Sequence, residues 1–74
     1  MLVKFILEES NGNILRENEW QMEMENSELQ ILLQSKEIFY PKRDGWGVHC
    51  TIQHTIYEMF QEPRFLEVHL KESE

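Results

Sequence analysis

Two dipeptides, Asn11-Gly12 and Asp44-Gly45, constrain this chain more than any other feature of its sequence. Both are pairs that type I′ turns favour, because the two central residues of such a turn take positive φ. Each lies between segments of strand-like alternation, so two hairpins are expected. With Asn11 and Gly12 as central residues, Val3 falls opposite Trp20 and Lys4 opposite Glu19. The first pair is apolar and core-facing; the second is an outward ion pair worth roughly 0.2–1 kcal/mol. Residues 14–18 alternate poorly, which predicts a late start or a bulge in the second strand. The same construction around Asp44-Gly45 pairs Arg43 with Trp46, Pro41 with Val48 and Phe39 with Cys50. It sets Phe39 on one face with Val48, Cys50 and Ile52. Pro41 has no ladder donor, so its strand belongs at an edge.

Between the hairpins, "NSELQILLQSK" predicts a short helix. Ser27 with Gln30 fits a capping box, Glu28 suits the positive end of the helix dipole, and Leu29, Leu32 and Leu33 form an apolar stripe. Lys36 suits the other end. The segment "VHCTIQHTIYEMFQEP" fits two patterns. Val48, Ile52, Ile56, Met59 and Phe60 suit a helical face, whereas Val48, Cys50, Ile52 and Ile56 suit a strand. β-Branched content and the hairpin favour strand to about residue 53, with a second helical turn near 54–61 ending before Pro63. "RFLEVHL" reads as a closing strand with Leu66, Val68 and Leu70 inward. The expected fold is therefore α+β: an antiparallel sheet of about five strands, ordered ββαβββ in the chain, with one short helix on it.

At 74 residues the chain is expected to form one acidic domain, 1–74. A domain this small buries only about 60% of the surface its unfolded chain exposes. That leaves little room for a catalytic cleft and favours a second apolar interface. Both faces of several strands are apolar: Leu2 and Ile6 oppose Val3, Phe5 and Leu7, and Phe65 opposes Leu66, Val68 and Leu70. One helix of about ten residues cannot cover both, so a homodimer is expected. A lone cysteine, Cys50, suggests a reducing cytoplasm. No apolar run approaches the roughly 20 residues of a membrane helix, nor does the N-terminal run suit a signal peptide.

Fourteen acidic against seven basic residues give a net charge of −7. That opposes direct contact with nucleic acid or an anionic membrane and attracts basic partners. The acids concentrate around "EWQMEMEN", residues 19–26. On a strand, Trp20, Met22 and Met24 share one face, and Glu19, Gln21, Glu23 and Glu25 the other. From Glu17 to Glu28 there are five carboxylates (Glu17, Glu19, Glu23, Glu25 and Glu28) and no Lys or Arg. Same-face charges on a strand recur every ~6.8 Å, against one phosphate per ~3.4 Å along a DNA strand. One such ladder has half the charge density of a DNA strand; two copies in a dimer, or added helix and tail acids (Glu28, Glu72 and Glu74), would approach it.

Chemistry of other kinds finds little support. His49, Cys50, His54 and His69 are the only soft or nitrogen ligands, and they lack the paired spacing of a closed zinc site. Cys50 and His54 would share a face on either a strand or a helix, but Cys50 reads better as a small buried apolar residue. A Cys50 nucleophile would need a positioned base, and its neighbour His49 points to the opposite strand face. No phosphate-binding glycine loop or nucleophile elbow occurs. The paired carboxylates lie on a face of like charge, without the contrasting environments that acid–base work requires. No catalytic residue, metal ligand or cofactor is therefore expected. The basic-aromatic stretch "KEIFYPKRDGW" could stack single-stranded bases; the plainer reading is a hairpin in which Arg43 covers Trp46.

Two functions remain. One is a non-enzymatic inhibitor or modulator whose five glutamates engage a basic, nucleic-acid-binding protein in place of phosphates. Small acidic DNA-mimicking inhibitors, phage-encoded ones among them, share this size and charge. The other is a small homodimeric structural or housekeeping domain whose acidity serves only solubility.

Overall fold

The structure is a computed structural model that describes residues 1–73, and among these residues it contains five strands, one helix and one 3-10 turn. In chain order these are β1 (Leu2–Glu8), the 3-10 turn (Arg16–Asn18), β2 (Trp20–Glu23), α1 (Asn26–Gln34), β3 (Ile38–Pro41), β4 (Gly47–Glu58) and β5 (Phe65–Glu72). The α+β class and the single helix match the sequence reading. No helix of the described residues is long and apolar enough to cross a membrane.

Both glycine dipeptides make turns, but with three-residue loops rather than two. Gly12 N–H donates to Glu9 C=O (2.8 Å) and Glu9 N–H to Asn13 C=O (2.7 Å). The second hairpin repeats this: Gly45 N–H donates to Lys42 C=O (3.1 Å) and Lys42 N–H to Trp46 C=O (2.8 Å). Only the glycines take positive φ, +90° and +92°, so neither turn is type I′. The acidic or amide side chain decides the difference. Asn11 Oδ1 accepts the Asn13 N–H and Asp44 Oδ1 the Trp46 N–H, both at 2.9 Å, holding these residues at negative φ and leaving the left-handed position to glycine.

The loop length resets both registers. In the second hairpin Ile38 pairs with Cys50, Phe39 with His49, Tyr40 with Val48 and Pro41 with Gly47. This one-residue slip exchanges faces. Tyr40 is 3% exposed and Phe39 66%, the reverse of the expected alignment. In the first hairpin the 3-10 turn takes up extra chain, so Val3 pairs with Met22 and Phe5 with Trp20. A two-residue shift leaves every side chain on its expected face. The Lys4–Glu19 pairing does not form; Lys4 lies opposite Gln21, its ammonium 3.9 Å above the Phe65 ring.

The sheet is mixed, in the order β2-β1-β5-β4-β3. β1 and β5 run parallel in the middle, from Leu2 beside Phe65 to Glu8 beside Lys71. The expected all-antiparallel sheet fails here because α1 carries the chain from one sheet edge to the other, and the β3-β4-β5 meander then returns to β1 in the same direction. Val3, Phe5, Leu7, Val68 and Leu70 fill the covered face with Met24, Tyr40 and Cys50. Each large apolar side chain buried there contributes about 1.5–3 kcal/mol. Leu29 and Leu32 of α1 pack against this core, while Leu33 turns outward. The helix begins two residues too early for the Ser27–Gln30 capping box: Glu25 is its N-cap, without a side-chain bond. β4 stays a strand through Glu58, so the expected helical turn near 54–61 does not form. A bulge between Ile52 and His54 resets its phase, which is why its apolar residues also fit a helical pattern.

At one end the sheet curls until its edges meet. Trp20 Nε1–H of β2 donates to the Pro41 carbonyl of β3 at 2.7 Å. Beside it the buried Tyr40 hydroxyl donates to the Asn18 carbonyl at 2.5 Å.

Candidate acidic site

The curled end and the β2–α1 junction position the five glutamates. β2 is only four residues long, so the even carboxylate ladder expected from the sequence does not form. Glu17 lies in the 3-10 turn and Glu19 just after it. Glu23 alone occupies the outward face of β2, where it lies opposite Leu2. Glu25 caps α1, and Glu28 lies in its first turn, where the helix dipole favours negative charge. Two clusters result, Glu17/Glu19 before β2 and Glu23/Glu25/Glu28 after it. Four residue steps, from Glu19 to Glu23, separate them, about 14 Å at ~3.4 Å per residue. The alternation expected for the apolar side holds: Trp20 and Met22 face the core side, and Met24 is buried.

All five glutamates are exposed. Among the described residues Glu17, Glu19, Glu25 and Glu28 make no ion pair, and Glu23 meets only the Met1 ammonium at 3.9 Å. Three of the seven bases pair with other acids. Lys42 pairs with Glu9 and Asp44, Lys71 with Glu8 and Arg64 with Glu62.

Arg16 adjoins the first cluster within the 3-10 turn, and a second cation, which nothing in the local sequence announced, reaches it from a distant loop. Arg43, from the β3–β4 loop, lies 3.8 Å over the Trp20 ring and not over Trp46. Its Nε donates to the Glu17 carbonyl (3.0 Å) and its Nη2 to the Glu19 carbonyl (3.3 Å). Its own amide donates to Asn18 Oδ1 at 3.3 Å. Arg43 therefore binds the backbone that carries these glutamates and leaves their carboxylates to solvent. An open groove of about 780 Å³ runs past Trp20 and Arg43, with Glu19, Lys4, Arg16 and Glu67 on its walls. Its walls carry charges of both signs.

The remaining reactive groups are placed for structure. Cys50 is fully buried, and burial, followed by Glu72 and Glu37, pushes its thiol up to about 11. Its Sγ–H donates to the Ile38 carbonyl at 3.4 Å. The bulge at Gln53 also parts Cys50 from His54, which moves to the open face and stacks on His69 with centroids 4.2 Å apart. The shared face expected for Cys50 and His54 is thus lost. Among the described residues no group of three His, Cys, Asp or Glu is placed to hold a metal ion. Comparison with protein-family models, curated proteins and solved structures gives no match.

Proposed function

We propose that this protein is a non-enzymatic acidic binding protein that acts as a homodimer. In this reading Glu17, Glu19, Glu23, Glu25 and Glu28 engage a basic surface on a nucleic-acid-binding protein and so occupy its phosphate site. The observation that carries the proposal is that, among the described residues, four of these carboxylates make no ion pair, while Lys42 and Lys71 pair with other acids. Carboxylates without cation partners keep their charge available for association and steering. The spacing is compatible with the role. A separation of about 14 Å between clusters equals roughly four phosphate steps along one DNA strand.

The test is capture of partners from a lysate at low salt, with elution by salt or by duplex DNA. The variant E19K/E23K/E25K should lose the captured basic protein while keeping its circular dichroism spectrum, because exposed charges contribute little to stability. Release by DNA would identify the occupied surface as a phosphate site, and steep salt dependence would identify screened charge as the driving force. If the triple variant holds the same partner, the acidity serves solubility and the mimicry reading fails.

A further inference from the structure

β4 is twelve residues long, and its neighbours cover it unequally. β5 pairs with it from Cys50 to Glu58, whereas β3 pairs only from Gly47 to Cys50. Along Thr51–Glu58 one ladder edge therefore faces no strand among the described residues, and no loop backbone bonds to it. An open edge is a template for another strand, and proteins usually blunt it with charge, proline or brevity. The two outermost strands are so protected. β2 and β3 have four residues each, β3 ends in Pro41, and the Trp20–Pro41 bond ties them together. The open part of β4 has no such protection. "TIQHTIY", residues 51–57, contains no Asp, Glu, Lys, Arg or Pro, in a chain that is 28% charged. Apolar exposure gathers at its end: Ile56 47%, Tyr57 46%, Met59 58% and Phe60 96%.

We propose that a second copy of this chain adds to this edge, β4 against β4, antiparallel about a two-fold axis at Ile56. The inference takes from the proposed function only the dimer and needs nothing of the acidic clusters. Two features select a second copy over a basic partner. Two chains of net charge −7 repel, and this strip lets them meet with the least like charge. It is also self-complementary. The bulge ends before His54, so His54–Glu58 is regular strand. Two-fold pairing there sets His54 opposite the partner's Glu58, Thr55 opposite the partner's Tyr57, and Ile56 opposite its own copy. Residues opposite one another share a face, so each pairing is imidazole with carboxylate, or apolar with apolar or hydroxyl-bearing groups. Met59 and Phe60 would then run beside the partner's Gln53 and Ile52. The result is an isologous interface that closes on itself and joins two sheets into one of ten strands.

Sedimentation equilibrium of the intact chain, without any partner, tests this. The wild type should sediment at micromolar concentration with twice its 9.0 kDa mass. Ile56→Lys, which sets like charges across the axis, should weaken the dimer by roughly a hundredfold and yield folded monomer by circular dichroism. Ile56→Cys should oxidise to a covalent dimer, whereas Ile31→Cys on exposed α1 should not. A monomeric wild type, an unaffected Ile56→Lys dimer, or equal cross-linking through both cysteines would overturn the proposal. Partner capture through the acidic clusters is read separately, so either idea can fail alone.

Discussion

Tyr40→Phe removes one oxygen and tests the join between the sheet's two ends. The Tyr40 hydroxyl reaches Asn18 C=O at 2.5 Å, in a setting where Tyr40 and Asn18 are each 3% exposed. Phenylalanine preserves the ring and its 5.9 Å contact with Phe5. It leaves the Asn18 carbonyl without that donor, at a cost of about 1–3 kcal/mol. At ~0.05–0.15 kcal/mol per residue, a chain of this size holds about 4–11 kcal/mol in all. The change should therefore lower Tm by about 5–20 °C, at ~4–8 °C per kcal/mol. Its pH signature is distinctive. Burial, reinforced by Cys50, raises the phenol above its ordinary value of 10.0. The folded state thus holds the proton more tightly than the unfolded state. The corresponding stability is complete below pH 10 and declines as pH rises above it. Tyr40→Phe should remove that part of the alkaline decline while lowering stability at neutral pH. Thermal unfolding followed by circular dichroism at neutral and alkaline pH measures both effects. A Tm change under about 2 °C at neutral pH would refute the account of this bond.

Trp20→Ala should cost about 2–4 kcal/mol, less than a fully buried tryptophan, because the ring is half-buried. It removes the bond to Pro41 and the platform under Arg43, so denaturant unfolding should also show greater proteolysis at the 3-10 turn. Cys50→Ala should cost about 1 kcal/mol and flatten stability between about pH 9 and 11. The sign follows from the raised folded value: protonated thiol stabilises the fold below 9, and that contribution is lost toward 11. Urea midpoints across that range check it.

Much of the architecture is visible in the residues, and its failures have identifiable causes. Alternation places Trp20, Met22 and Met24 correctly because a strand fixes side-chain parity, and a two-residue register shift does not disturb it. The glycine dipeptides locate both turns. They do not reveal that Asn11 and Asp44 use their side chains to close three-residue loops, and one added loop residue suffices to bury Tyr40 instead of Phe39. Periodicity carries no strand direction, so the parallel β1–β5 pair is invisible in sequence. At the candidate site, the exposure of the five glutamates follows from their charge. Their division into two clusters does not, since it depends on where β2 stops. Arg43 is separated from Glu17 and Glu19 by 26 and 24 positions, beyond any local pattern.

The parallel pairing of β1 with β5 also sets an order of events in synthesis. Leu2 lies beside Phe65, so the first strand waits 63 residues for its central neighbour. At ~5–20 residues per second that is about 3–13 s of translation. During this interval Val3, Phe5 and Leu7 can pair only within the β1–β2 hairpin, and a lone two-stranded hairpin is marginal in water. Loop-closure entropy must then be met before the central contact contributes anything, which slows folding relative to a helical chain of equal length. A nascent chain halted before Phe65 should consequently be protease-sensitive throughout, and extension through Glu72 should protect both hairpins together.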